Sequence, residues 1–273
     1  MTEATAQATP SQVAAVFDLV APGYDQEALR FFPFIADRLI AQLRPAAGDK
    51  LLDVACGTGA VAIAAAQAVG PGGRVTAIDL SEGMLARLQA KLTKFGVANV
   101  DLHVMDGGAL EFRRDYFNHV VSSFGLFFLS DMSSALAQWR RVTRPGGTVM
   151  FTSFAPLAFT PMIDLLRARL VDAGVDMPPQ ELADSNECQA LMTAAGLMDV
   201  NVKTEQMGYH LRNELEWWEI VWHSALRGPC ERLAPAQLEE VRVAHLEEVA
   251  CLRTDKGLWL NVETHFVRGR KPA

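Results

Sequence analysis

The chain has 273 residues, half of them hydrophobic and 21% charged, which is ordinary globular composition. That length suits one large domain, or one domain carrying a substantial insertion or cap. A formal net charge of -7 with no long basic run argues against sequence-independent nucleic-acid binding, and no apolar run reaches the ~18 residues that a membrane span needs.

The opening "MTEATAQATPSQ" is polar and lacks the apolar segment of a secretory signal; Met1–Pro10 reads as a frayed tail and a cytoplasmic location is expected. Helices are predicted over Gln12–Val20 and Gln26–Leu43, the second from the spacing of Leu29, Phe32, Ile35, Leu39 and Leu43. Short apolar runs then predict strands at Lys50–Val54, Arg74–Ile78, Asp101–Met105, His119–Ser123 and Thr148–Ser153. Helices at Thr58–Val69, Ser81–Phe95 and Ser133–Val142 separate them, with "GPGG" and "RPGG" as punctuation. Such alternation predicts a parallel sheet covered by helices on both faces. After Phe154 the pattern changes. A helix is expected at Phe159–Ala173, then a helix stopped by Gly196 and a strand, two more helices at Glu214–Leu226 and Ala236–Leu252, and a last strand from Leu258. Cys56, Cys188, Cys230 and Cys251 are scattered with no C-x-x-C pair, so reduced thiols are expected rather than a metal or redox site.

The stretch "LLDVACGTGA", Leu51–Ala60, sets a glycine turn between a strand and a helix, the context of a ligand loop. Gly57 lets the backbone approach a ligand, and helix amides after Thr58 face a polar group. Asp79, at the end of the next strand, suits the hydroxyls of a ribose. Gly57, Gly59 and Ala62 also satisfy the looser dinucleotide pattern, so a nicotinamide enzyme stays open on these residues alone. Three features move the reading. Asp53 stands just before the glycines, where it repels a pyrophosphate and favours a cation. Asp106, followed by Gly107 and Gly108, offers an acceptor and amides to a purine edge. "RPGG" precedes the next strand at the spacing of a further βα unit. Adenine, ribose and a cationic centre together describe S-adenosylmethionine.

Over Phe17–Phe154 the sequence resembles the class I S-adenosylmethionine-dependent methyltransferases, and among them the ubiquinone/menaquinone-biosynthesis type of C-methyltransferase. "VFDLVAPGYD" (Val16–Asp25), "DVACGTG" (Asp53–Gly59), "SFGLFFLSD" (Ser123–Asp131) and "RPGG" carry the likeness. The resemblance implies a Rossmann-like, mostly parallel seven-stranded sheet with helices on both faces, its last strand antiparallel and a helical cap inserted before that strand. It divides the chain into an N-terminal helical lid (1–45), a cofactor-binding core (46–155) and cap helices with the last two strands (156–273). It further implies that Asp53, Ala55, Gly57, Thr58 and Gly59 surround the methionine part of the cofactor. Asp79 takes the ribose, Met84 packs on adenine, and Asp106 and Gly107 meet the adenine edge. Ser123 and Phe124 meet the cofactor at the fourth strand's end, and Tyr24 is a lid contact near the sulfonium.

Three departures are visible. Ala55 stands where many members have glycine, which predicts that small size is the requirement. Asn118 replaces an aspartate at a strand start away from the ligand edge. Phe127 and Phe128 replace polar residues, which argues against a quinone acceptor. The expected acceptor is a small, largely apolar or aromatic molecule methylated at a C, O, N or S centre. Phe128, Trp218 and Trp222 are candidates for its pocket, and His223 and His210 for a base. Glu219, His223 and Arg227 fall at i, i+4, i+8, a spacing that an ion-pair stripe explains equally. His103, His119 and His265 are expected to be structural and His245 exposed. Two alternatives stay open: a non-catalytic methyltransferase-like subunit and a nicotinamide-dependent oxidoreductase. The sequence leaves the oligomeric state undetermined.

Overall fold

The computed structural model describes residues 9–273; of the predicted tail Met1–Pro10, positions 1–8 lie outside the described residues. Helix α1 (Pro10–Val20) opens with a capping box. The Gln12 amide donates to Thr9 Oγ1 at 3.3 Å, and the Thr9 amide donates to Gln12 Oε1 at 2.8 Å. The chain then winds through a 3-10 turn, Ala21–Gly23. The single helix predicted over Gln26–Leu43 is in fact two pieces: a 3-10 turn at Glu27–Leu29, then α2 (Phe31–Leu43). Pro33, which has no amide to donate, fits within the first turn of a helix begun at Phe31 but not in the interior of a longer one.

The parallel strands are β1 (Lys50–Val54), β2 (Arg74–Asp79), β3 (Val100–Val104), β4 (Phe117–Ser123) and β5 (Thr143–Phe154). Their crossover helices are α3 (Ala60–Val69), α4 (Glu82–Phe95) and α5 (Met132–Val142). Beyond β5 come α6 (Met162–Asp172), α7 (Ser185–Ala194), β6 (Met198–Gln206), β7 (Tyr209–Leu211), α8 (Glu214–Trp222), α9 (Arg227–Cys230), α10 (Pro235–Ala250), β8 (Leu258–Leu260) and β9 (Glu263–Arg270). Among the described residues seven strands form one sheet in the order β3-β2-β1-β4-β5-β9-β6, with β9 antiparallel to both neighbours. This is the Rossmann-like architecture that the alternating pattern and the resemblance implied.

Successive residues of the strands point to opposite faces, and both faces are covered. Leu51, Val75, Ala77, Val121 and Met150 pack under α2 and α3, while Leu52, Val54, Ile78, Val120 and Phe151 pack under α5 and α7. Two boundaries differ from expectation. "RPGG" lies within β5 as an irregularity, the pairing jumping from Phe117 with Thr143 to His119 with Thr148. The last strand is broken at Asn261–Val262: Leu258–Leu260 pairs with β7 in a separate ribbon, and only Glu263–Arg270 enters the sheet.

Helices α8–α10 and this ribbon fall between β6 and β9, the cap position. Helix α6 joins them, Arg169 reaching Glu248 of α10 at 2.5 Å.

Candidate functional site

The C-terminal ends of the parallel strands form the edge where an open α/β sheet takes its ligand. The turn from β1 into α3 is shaped by left-handed backbone at Ala55 (φ 53°), Gly57 (φ 53°) and Gly59 (φ 87°). Ala55 therefore corrects the expectation that only size matters there. Its backbone is of the kind that glycine adopts without strain, so an alanine carries a steric cost. Small size matters across from it: a Cβ on Gly125 would sit 2.5 Å from the Ala55 Cβ. Above Gly57 there is open space, since a Cβ there would meet only the Tyr24 ring, at 3.9 Å. Gly59 caps α3 without a side chain, which leaves the first-turn amides for a ligand.

The acids differ in their surroundings. Asp53 is 1% exposed, and neither carboxylate oxygen has a hydrogen bond of good geometry, the Ala62 amide being its one polar neighbour of note. Burial, then the charge of Asp79, pushes its carboxyl well above the usual range, and the Ala62 amide relieves it only in part. Asp79 accepts the Gly57 amide at 2.8 Å through Oδ2 and the Ser81 amide at 2.9 Å through Oδ1. Burial raises its pKa against the pull of those amides. Each of its oxygens keeps a further lone pair for a ligand. Asp106 accepts the Gly108 amide at 2.8 Å, and its neighbours Met105 and Gly107 line the cleft. Trp139 Nε1 donates to the Gly107 carbonyl at 2.8 Å and holds this loop in place.

The cleft encloses about 590 Å³ of empty space, counting its open side. Tyr24, Ala55, Gly57, Asp79, Gly107, Ser123, Phe124 and Phe128 all line it, so the structure brings together eight residues drawn from five separate stretches of sequence. Val13 and Phe17 of α1 close it from above. Aromatic rings form a continuous wall behind. Tyr24 stacks on Phe32 (4.9 Å, 16°), Phe124 stacks on Phe154 (4.0 Å, 16°), and Phe154 meets Phe159 edge-on at 4.8 Å. Phe124 is itself left-handed (φ 57°), its amide held by Thr152 Oγ1 at 3.2 Å, while Ser123 Oγ lies 3.0 Å from the same oxygen. Burial, with Asp79 and Asp25 nearby, raises the Tyr24 phenol and keeps it protonated.

Residues 3–165 match the ubiE/COQ5 methyltransferase family. The chain belongs to that family. It is an S-adenosylmethionine-dependent methyltransferase. The chain is 35% identical over 161 residues to "Aklanonic acid methyltransferase DauC" of Streptomyces sp. (strain C5), covering 56% of this chain and 73% of that one. It is 30% identical over 222 residues to a demethylmenaquinone methyltransferase of Geobacillus stearothermophilus, covering 74% and 95%. The crystal structure of the [4+2]-cyclase SpnF superposes over the full length of both chains with a TM-score of 0.66 at 19% identity, a likeness of fold alone. The residues present fit S-adenosylmethionine. A buried carboxylate with no well-formed hydrogen bond suits a cation, Asp79 retains acceptor capacity, and nothing fills the space over Gly57.

Other candidates of this methyltransferase fall elsewhere. Met84 is fully buried against Val20 and Ala21 beneath the N-terminal segment, and Leu80 lines the cleft in its stead. Thr58 turns its hydroxyl to Asp25 at 2.7 Å. His210 is exposed on the ribbon, its ring edge-on to Trp259 at 5.0 Å, apart from the cleft-lining residues. His223 caps the end of α8, 3.0 Å from Glu219, and its ring fills the notch left by the missing Cβ of Gly23, next to Tyr24. Because α8 ends there, Arg227 does not extend the predicted stripe. It pairs with Glu231 at 2.7 Å and lies 4.1 Å over Trp222.

Trp218 and Trp222 stack on each other at 6.1 Å and do not line the cleft. The tryptophan that meets the aromatic wall is Trp217, fully buried and 6.2 Å from Phe159. Trp217 Nε1 donates to His245 Nε2 at 2.7 Å. His245, expected to be exposed, is therefore core, and burial lowers its pKa to about 4. The other histidines are engaged or remote. His119 lies 3.0 Å from Asp49 at the opposite end of the sheet, His265 is held by Thr204 and Ala183, and His103 is exposed on β3. Asn118 likewise serves that far end, accepting the Lys50 amide at 3.1 Å. Phe32, Phe154 and Phe159 were missed as wall residues. Only their density along the chain offered a signal.

Proposed function

We propose that the enzyme transfers the methyl group of S-adenosylmethionine to a small, largely apolar or aromatic acceptor at a C, O, N or S centre. The observation that carries this is Asp53: a buried carboxylate with no well-formed hydrogen bond, relieved only in part by the Ala62 amide, next to the glycine turn and Asp79. An unpaired buried charge is costly, and a bound cation offsets that cost. The cofactor supplies an electrophilic methyl on a sulfonium sulfur.

The chain's own residues do the rest. Asp53, with Ala55, Gly57, Thr58 and Gly59, forms the cradle for the methionine part, and Asp79 accepts from the ribose. Gly107 and Asp106 meet adenine, with Leu80 in the wall where Met84 was expected. Ser123 and Phe124 fix the fourth-strand corner. Tyr24, Phe124 and Phe128 exclude water and orient the acceptor, as an in-line transfer at ~3 Å requires. For an acceptor that has a proton to lose, the candidate base is His223, held by Glu219 behind Tyr24 and one residue back from the cleft lining. Trp218 and Trp222 shape the cap from behind rather than by contact. Functionally the chain divides into a strap (1–45), a cofactor core (46–155) and a cap that completes the sheet (156–273). The negative net charge supports a small acceptor rather than a nucleic acid, and a cytoplasmic location belongs to the same proposal. No helix among the described residues is long and apolar enough to cross a membrane.

The test is incubation with methyl-labelled cofactor and a panel of phenols, enols, carboxylic acids, amines and thiols. Label is expected on flat apolar acceptors. Cofactor binding with no transfer across the panel would favour the non-catalytic subunit.

A further inference from the structure

Three walls of the cleft, Val13, Phe17 and Tyr24, come from the segment before α2, so the cofactor is enclosed only while that strap is down. The strap is tied at several points. Asp18 Oδ1 accepts from Ser81 Oγ at 2.5 Å and from the Gly83 amide at 2.9 Å, and Arg87 reaches the Pro22 carbonyl at 3.2 Å. These ties run to α4 and its N-cap Ser81 and do not reach the glycine turn. Asp25 is different. Its Oδ1 accepts from Thr58 Oγ1 at 2.7 Å and from Lys91 Nζ at 2.8 Å. Thr58 is 4% exposed and sits between Gly57 and Gly59, in the turn that faces the cofactor. One carboxylate oxygen therefore joins the strap, the cofactor turn and α4 at the residue after Tyr24.

We infer that Asp25 is a positioning residue for methyl transfer, clasping the strap onto the cofactor turn through Thr58 and Lys91 and so setting how fast spent cofactor leaves. This rests on the reading that the cleft binds S-adenosylmethionine. The Thr58 bond is the buried arm of the clasp. The Lys91 arm is partly solvated, the two side chains being 24% and 36% exposed, and contributes less.

The experiment is stopped-flow measurement of S-adenosylhomocysteine release from the full chain. Asp25→Ala should release it about tenfold faster, and Thr58→Val, which removes one hydroxyl at nearly constant shape, several-fold faster. The double variant should be no faster than Asp25→Ala, because both remove the same bond. Asp25→Asn, which keeps an acceptor for Thr58, should restore most of the slow release. Asp101→Asn breaks the Arg74–Asp101 pair at the opposite end of the sheet and should leave release unchanged. A residue that only supports the fold would lower the melting temperature without changing release well below it. Wild-type release rates in Asp25→Ala, or effects of Asp25→Ala and Thr58→Val that multiply, would overturn the clasp alone. If Asp25→Ala does not fold, Thr58→Val carries the test, and slow release there overturns the clasp. A wild-type chain that does not bind S-adenosylhomocysteine would overturn the cofactor reading and the clasp with it.

Discussion

At the ends of the parallel strands, the cleft residues sit in tight turns, and each is held by at least one hydrogen bond to its own backbone amide or to a neighbouring one. Asp79 is fixed by the Gly57 and Ser81 amides, Phe124 by Thr152, and the Asp106 loop by its own Gly108 amide. In the cap, the corresponding residues are held by contacts between two side chains, with no backbone group involved. Trp217 is fixed by His245, 28 residues on, and Arg169 by Glu248, 79 residues on. The first kind of site is specified by local backbone geometry and tolerates change in the distant core. The second is specified by packing, and a change there is felt as stability.

That contrast can be broken most forcefully at Trp217. Trp217→Ala should cost about 3–5 kcal/mol in chemical denaturation, the usual range for a buried tryptophan. Cofactor affinity of the folded fraction should stay within about twofold. A parallel loss of affinity would mean that cap and cradle are one unit. Next, Asp79→Ala should raise the S-adenosylmethionine Kd about 100-fold, or about 2.7 kcal/mol, with a much smaller effect on the melting temperature. An unchanged Kd would remove Asp79 from the ribose.

Asp53 sharpens the contrast through pH. Its folded pKa lies above the unfolded value, so the folded, cofactor-free chain holds the proton more tightly. Stability should therefore rise as pH falls from that raised value toward about 4, the ordinary carboxylate value, with the full penalty present above it. Asp53→Asn should abolish this slope and stabilise the cofactor-free chain by about 1–2 kcal/mol at pH 8, read by thermal melts across pH.

The smallest effect is expected at Glu205, where Arg38 (2.5 Å) and Lys203 (2.5 Å) lower its pKa to about 2 and tie α2 to β6. This contribution is fully present above the usual carboxylate value and is lost as pH falls through about 2. Glu205→Gln should cost about 0.5–1 kcal/mol at pH 7 and flatten the acid limb of the stability curve.

The same contrast explains what the sequence disclosed. That Gly57, Asp79 and Gly107 gather at one cleft was legible because a strand, a turn and an acid at its end are local signals. The sheet was legible because strands buried on both faces are continuous apolar runs. Met84 lies off the cleft lining because its helix is covered by the strap, and no periodicity reports what lies over a helix. His245 looked exposed because glutamates flank it, yet one turn of α10 faces Trp217. On α8 Trp218 and Trp222 were the pocket candidates, while the ring that reaches Phe159 is Trp217, because sequence spacing does not show which turn of the helix meets its partner. The strap ties at Asp18 and Asp25 join residues more than 30 positions apart in contacts that spacing cannot reveal.

The most direct test of the cradle is calorimetric titration of the wild type and Asp53→Asn with S-adenosylmethionine and, separately, NADH. The account predicts one S-adenosylmethionine site per chain, at least about tenfold weaker in Asp53→Asn, and no NADH binding. NADH binding without S-adenosylmethionine binding, or full affinity in Asp53→Asn, would contradict it.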